Sequence, residues 1–187
     1  MSRIAPFNEQ EASAEVVAAR DAHARQGHRI TNMKRTLLHS LPAFRALMEW
    51  YPLHDEVARF LGARATLLFA HAISAENDCL ICSTYFRRIL IDRGEDPDRL
   101  SLDQRESAVV AYGRQLAEDP HGVSDDLYRR MAGFLTPPEI VALTAFGGLM
   151  IATNVVNDAL RVELDEYLYQ YRASPGVARE GDRSWES

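Results

Sequence analysis

The stretch that decides the fold is TPPEIVALTAFGGLMIATNVV, which runs from Thr136 to Val156. It opens with a helix start signal, because Thr136 can act as the N-cap, Pro137 suits the first helical position and Glu139 follows three residues after the cap. The apolar run behind this signal contains glycine and polar interruptions, and it falls short of the roughly 20 apolar residues that a membrane span needs. The stretch therefore predicts a buried core helix.

The same helical pattern recurs on both sides of this stretch. Pro42 suits a helix start, Pro52 is expected to end that helix, and Ser101 with Gln104 has the pattern of a capping box. Ser124 is the expected N-cap of a further helix. Helices are predicted over residues 8–29, 32–40, 42–51, 54–61, 65–77, 79–93, 101–116, from 124, and 136–156 with a continuation or kink into 158–171. No strand or hairpin signal is present, so the predicted fold class is all-α.

The composition bounds the domain organisation and the partners. A chain of 187 residues with 47% hydrophobic residues is typical of one domain. We expect an N-terminal helical arm over residues 1–30, a helical domain over 31–172 and a disordered tail over 173–187. The net charge of −6 argues against nucleic-acid and anionic-membrane partners. No secretory signal is recognised, and a cytoplasmic location is expected.

The chain contains two cysteines, Cys79 and Cys82, in a C-x-x-C spacing. They are expected in the first turns of a helix that is capped by Asn77 or Asp78, where the helix dipole lowers the pKa of a thiol. Asp78 opposes that effect at Cys79, so Cys82 is expected to form the thiolate more easily. Both residues also suit small buried apolar positions. A zinc site lacks enough nearby ligands, and no metal or cofactor is expected.

The segments around the cysteines carry a family resemblance. The resemblance involves three parts of the chain, which occur in the same order as in the family. These parts are the segment 39–51, the run HAISAENDCLICSTYF over residues 71–86, and segments between residues 108 and 160. Over about residues 35–170 the chain resembles the alkylhydroperoxidase D and carboxymuconolactone decarboxylase family, in its peroxidase-related branch. The resemblance implies an alkylhydroperoxidase D-like helical bundle with a helix-borne C-x-x-C. It also implies assembly into a homo-oligomer through helical faces.

The resemblance implies an antioxidant oxidoreductase. Cys82 would attack a small-molecule peroxide, Cys79 would resolve the sulfenic acid as a disulfide, and a thiol reductant or adaptor protein would reduce that disulfide. Two positions depart from the family pattern. Phe86 stands where the family peroxidases have a histidine, and Leu67 stands where they have a glutamate. The usual proton relay is therefore missing, and weakened activity is expected.

Three residues are candidates for a substitute proton relay. His71 lies one turn beyond Leu67 on the same helix face, Glu76 precedes Cys79 by three residues, and Tyr85 follows Cys82 by three. Each also suits a structural role: a packed histidine, a surface charge and an amphipathic packing residue. Two alternative functions stay open, namely a redox sensor or scaffold without catalysis, and a lyase resembling the decarboxylase branch.

Overall fold

The computed structural model describes residues 2–5, 7–8, 10 and 12–173. These residues form nine α-helices and two 3₁₀ helices and contain no strand, which confirms the all-α prediction. The α-helices are α1 (Ala14–Arg25), α2 (Asn32–Leu37), α3 (Leu41–Met48), α4 (Trp50–Leu61), α5 (Ala63–Glu76), α6 (Leu80–Asp92), α7 (Gln104–Glu118), α8 (Asp125–Ala132) and α9 (Pro137–Ala159). The 3₁₀ helices cover Pro120–Gly122 and Glu166–Tyr171.

Helix α9 packs against α4, α5 and α7. It begins as predicted, since the Thr136 backbone N–H donates to the Glu139 carboxylate at 2.7 Å. By length and composition alone this helix could cross a membrane, with a mean hydropathy of 1.7. Within the fold its inner face is buried, with Leu143 and Phe146 fully inaccessible to solvent. The helix therefore forms part of the core of the bundle.

The predicted continuation of α9 toward residue 171 is wrong. Arg161 has a φ of 50° and reverses the chain, the Val162 N–H donates to the Asn157 carbonyl at 2.9 Å, and the Arg161 N–H donates to the Asp158 carbonyl at 3.1 Å. This pair of bonds closes the helix end in a Schellman motif, which satisfies carbonyls that would otherwise lack partners. The chain then returns through an irregular segment to the 3₁₀ helix Glu166–Tyr171.

Two other predicted boundaries differ from the structure. Pro52 does not end a helix but occupies the third residue of α4, where its missing N–H is one of those that have no partner within the helix. The capping box of α7 is formed by Asp103 and Glu106 rather than by Ser101 and Gln104. The N-cap Ser124 of α8 is confirmed, as its side chain accepts from the Leu127 N–H at 3.2 Å.

The N-terminal segment packs on its own chain. The backbone N–H of Arg3 donates to the Leu160 carbonyl at 2.9 Å, beyond the end of α9. Farther along, His23 of α1 is buried against the rings of Phe44 and Tyr51, with centroid distances of 5.5 and 5.2 Å. The predicted arm thus contributes to the packing of this chain. The predicted disordered tail lies, apart from Ala173, outside the described residues.

Candidate active site

The turn between α5 and α6 positions the first cysteine. Asp78 adopts a left-handed conformation with a φ of 54°, which Asp tolerates better than most residues. The Asp78 N–H then donates to the Ala75 carbonyl, and the Cys79 N–H donates to the Ser74 carbonyl at 3.0 Å, forming a second Schellman motif. Cys79 comes directly after this motif and is itself the N-cap of α6. The expectation that Asn77 or Asp78 caps the helix is therefore wrong, because both residues belong to the end of α5.

The two thiols are free and buried, and a single amide holds both of them. Cys79 is completely inaccessible to solvent, whereas Cys82 retains 7% of its exposed surface. The Asn157 Nδ2 atom of α9 lies 3.3 Å from the Cys82 Sγ and 3.9 Å from the Cys79 Sγ. Because both contacts come from one buried side chain, Asn157 connects the cysteine turn to α9.

Two further amides support the cysteine turn. They belong to Asn154, which lies three residues before Asn157 on α9, and to Asn77. The Asn154 Nδ2 donates to the Asn77 Oδ1 at 3.0 Å, and the Asn77 Nδ2 in turn donates to the Ala117 carbonyl of α7 at 3.2 Å. Asn154 and Asn157 thus join the cysteine turn to α9, and Asn157 does so through the sulfur atoms.

Cys79 is the more acidic of the two thiols, whereas the sequence predicted that Cys82 would form the thiolate more easily. A hydrogen bond from the Cys82 thiol, together with the backbone N–H of Cys82, lowers the pKa of Cys79. The bond to Cys79 and burial raise the pKa of Cys82 well above its usual value, although the Asn157 amide acts in the opposite direction. The main physical reason is the interaction between the two thiols, to which the backbone N–H of Cys82 adds. Cys79 is therefore the more acidic thiol of the pair.

Asp158 is the acidic group next to this pair. Burial raises the pKa of its carboxyl group, and a hydrogen bond with the Cys79 thiol acts in the opposite direction. The carboxyl group can therefore accept a proton from Cys79 or return one to it. Cys82, Cys79 and Asp158 are therefore three titratable groups that influence one another's pKa values.

Cys82 faces a cavity of about 300 Å³, which Cys79 does not reach. This volume is at the lower end of the range of small-molecule sites. Part of the wall comes from the segment between α1 and α2, including Gly27, His28 and Arg29. The other walls come from α2, α3, α4, α6, α9 and the segment 165–168, and include Met33, Lys34, Leu47, Met48, Trp50, Tyr51, Ile81, Tyr85, Phe86, Arg88, Met150, Thr153, Asp165, Tyr167 and Leu168.

The structure brings one of the three candidate relay residues to this cavity. Tyr85 lines it beside Cys82. His71 lies elsewhere: burial, followed by the positive charges of Arg87 and Arg114, lowers its pKa to about 4. Glu76 is exposed at the end of α5. Among the described residues, no hydrogen bond joins His71 or Glu76 to a thiol.

Both departures from the family pattern are core positions. Phe86 is 5% exposed and lines the cavity one turn after Cys82, and Leu67 is buried in the main core cluster. Neither side chain can exchange a proton. The sequence prediction did not identify Asn157 or Asp158 as site residues. The one available signal was a polar residue in an apolar helix, since a buried amide must find a hydrogen-bonding partner.

Comparison of the sequence with protein-family models and with curated proteins finds no match.

Proposed function

We propose that this chain is a thiol-dependent peroxidase of the alkylhydroperoxidase D-like type, which reduces peroxides through Cys82 and Cys79. The observation that carries the proposal is a pair of free thiols that contact the same Asn157 amide, of which one lines a ligand-sized cavity and the other is fully buried. A substrate that enters the cavity meets Cys82 first. Cys79 is placed to react only with Cys82.

A proton transfer between the two thiols supplies a route to the reactive Cys82 thiolate. Cys82 passes its proton to the Cys79 thiolate along their hydrogen bond, and the Asn157 amide stabilises the Cys82 thiolate that results. This thiolate attacks one peroxide oxygen, the O–O bond breaks, and Cys82 becomes a sulfenic acid while the alkoxide takes up a proton and leaves as the alcohol. Asp158, which is hydrogen-bonded to Cys79, accepts the proton that Cys79 must lose before the next step.

Cys79 then completes the reaction as a thiolate. Its sulfur attacks the sulfenic sulfur of Cys82, the S–O bond breaks, the hydroxyl group leaves with a proton as water, and a disulfide forms. The sum is one thiol, one thiolate, one proton from water and one peroxide converted to one disulfide, one alcohol and one water; Asp158 returns the Cys82 proton to one leaving oxygen, and water supplies the proton for the other. An external dithiol or an adaptor protein returns two electrons and two protons to restore the thiols.

The decisive experiment compares the two serine variants. In the unmodified chain, tert-butyl hydroperoxide should turn over with dithiothreitol as the reductant. Cys82→Ser should abolish turnover and form no sulfenic acid, whereas Cys79→Ser should form one sulfenic acid at Cys82 that dimedone traps, without a disulfide. The two variants make the same substitution three residues apart, so each controls for the other. Retained turnover in Cys82→Ser, or dimedone labelling of Cys79 in that variant, would contradict the proposal.

One observation favours a second function, a redox sensor that oxidises once and does not cycle. The raised pKa of Cys82 keeps its thiol protonated, which slows attack on a peroxide. Counting peroxide consumed per chain in excess dithiothreitol separates the two functions. A sensor without a partner stops at one equivalent, and an enzyme continues.

The proposal extends to assembly and location. We propose a homo-oligomer in the cytoplasm, and the outer face of α9 supports the assembly because Val141 and Val155 are 69% and 58% exposed there. Light scattering of the purified chain tests it. A monomer at all concentrations would contradict this part of the proposal.

A further inference from the structure

Lys34 is the only lysine in the 187 residues, and its side chain is buried in the wall of the cavity. Its Nζ atom donates to the Arg29 carbonyl and to the Tyr51 hydroxyl, both at 2.7 Å. Both acceptors are neutral, and within the described part of the chain no carboxylate lies within ion-pair distance of the ammonium. Burial lowers the pKa of Lys34 to about 8, so the group is mostly charged at neutral pH. The negative charge of Asp165 acts on this ammonium only from beyond ion-pair distance, and a buried ammonium with a third N–H to donate can bind an anion.

Two further cations and one carboxylate line the same cavity. Arg29 lies over the Tyr167 ring at 4.1 Å from its centroid, and Arg88 pairs with Asp92 while its Nε atom is buried without a hydrogen-bond partner. Asp165 accepts the Asn32 N–H at 3.0 Å through Oδ1, and its Oδ2 is buried without a partner. The lining therefore carries more positive than negative charge, in a chain whose net charge is −6. The unpartnered Arg88 Nε is a donor that an anionic ligand would satisfy, whereas the unpartnered Asp165 Oδ2 is an acceptor and such a ligand leaves it unsatisfied.

The rest of the lining is apolar and continues to the reactive thiol. Trp50 and Met150 contact each other through a hydrogen bond from the indole Nε1 to the Met150 Sδ at 2.8 Å. Beside them lie Phe86 and Ile81, which flank Cys82 on α6. The remaining apolar lining residues are Met33, Leu47, Met48 and Leu168. A ligand that fills the cavity must therefore combine an apolar body with an anionic head.

We infer that the cavity binds a small amphipathic carboxylate, whose head is held by Lys34 and whose apolar body lies along Trp50 and Phe86 toward Cys82. If the proposed function holds, on which this part of the inference rests, the substrates are organic hydroperoxides that carry a carboxylate. Lys34 then positions the substrate and exchanges no proton with it. Hydrogen peroxide has neither the anionic head nor the apolar body, and it gains nothing from these contacts.

The test compares two probes of the same length that differ in charge, octanoate and 1-octanol. Isothermal titration calorimetry of the reduced chain should give at least about tenfold tighter binding of octanoate, because a charge-assisted hydrogen bond contributes more than a neutral one. Lys34→Met, which keeps the apolar stem and removes the charge, should abolish the preference. Arg35→Met removes a charge from the neighbouring residue of α2, which does not line the cavity, and should keep it.

Equal affinity for the two probes would overturn the inference, and so would an unchanged preference in Lys34→Met. The comparison on the unmodified chain decides the matter alone if Lys34→Met does not fold. Octanoate contains no O–O bond, so its binding is independent of the thiol chemistry. Peroxide turnover without octanoate binding would overturn this inference alone. Octanoate binding without turnover of any peroxide would overturn the proposed function and leave the binding site in place.

Discussion

Replacing the two neighbouring glycines of α9 by alanine should affect stability differently. A Cβ atom on Gly147 would lie 2.9 Å from the Leu116 Cδ1, 3.1 Å from the Phe69 Cζ and 3.4 Å from the Ile73 Cδ1. Carbon atoms attract each other best at about 3.5–4.0 Å, so the first two contacts are repulsive. A Cβ on Gly148 meets nothing within 4 Å. Gly147→Ala therefore crowds the core, and Gly148→Ala does not.

The magnitude follows from two terms. Both variants gain about 1 kcal/mol of helix propensity, since glycine is a poor residue in a helix interior. Overpacking a core costs roughly 1–3 kcal/mol, and this term applies to Gly147→Ala alone. The Phe69 ring has little room to move, because it lies between the rings of Tyr112 and Phe146, and a Cβ on Gly113 would already lie 2.9 Å from its Cδ2.

Urea unfolding followed by circular dichroism measures the difference directly. Gly148→Ala should be more stable than the unmodified chain by about 1 kcal/mol, and Gly147→Ala should be less stable than Gly148→Ala by roughly 1–3 kcal/mol. The shared propensity term cancels in the comparison of the two variants. If Gly147→Ala proved as stable as Gly148→Ala, the close packing of α9 on Phe69 would be refuted.

Two further predictions concern the site and the pH dependence of folding. Asn157→Ala removes the amide that donates to the Cys82 sulfur, and the rate at which peroxide oxidises the reduced chain should fall about fivefold, the value of one ordinary hydrogen bond. Asn154→Ala is the control, since that amide contacts Asn77 and no sulfur; an equal loss in both variants would contradict a role through the thiol. The second prediction rests on His71, whose pKa of about 4 in the folded chain compares with 6.5 for a free imidazole. The unfolded chain binds more protons between these values, so the free energy of unfolding should fall as the pH drops from 6.5 to 4, by up to about 3 kcal/mol from this residue. Urea midpoints across this range should vary less in His71→Gln than in the unmodified chain, with the same substitution at the exposed His121 as the control, and an unchanged slope in His71→Gln would contradict the assignment.

Local signals predicted the helices well where nothing competed with them. Thr136 and Glu139 form a capping box within four residues, and Ser124 caps α8 with its own hydroxyl. At α7 the predicted cap at Ser101 is wrong, and Asp103 caps the helix instead. Arg64 of α5 pairs with Glu106 and also binds the Ser101 carbonyl at 3.1 Å, which keeps Ser101 outside the helix. A contact over about forty residues cannot be predicted from a local motif.

In the candidate site, too, some features could be predicted from the sequence and others could not. The pair Cys79 and Cys82 could be identified from its spacing, and Phe86 and Leu67 from the resemblance. The relative acidity of the thiols could not, because it depends on the interaction between the two thiols and on the burial of Cys82. The contribution of Asn157 depends on α9 passing beside the cysteine turn, which is a matter of tertiary packing.

The sequence by itself determined an all-α chain, most of its helix starts and the pair of thiols at its centre, since these depend on hydrogen bonds and periodicity within a few residues. Only the tertiary structure decided that Cys82 faces a cavity and Cys79 does not, and that Lys34 lies in the wall of that cavity. The cavity is assembled from segments between Gly27 and Leu168. The shape and charge of the cavity depend on which side chains line it, and the packing of distant segments determines which side chains these are.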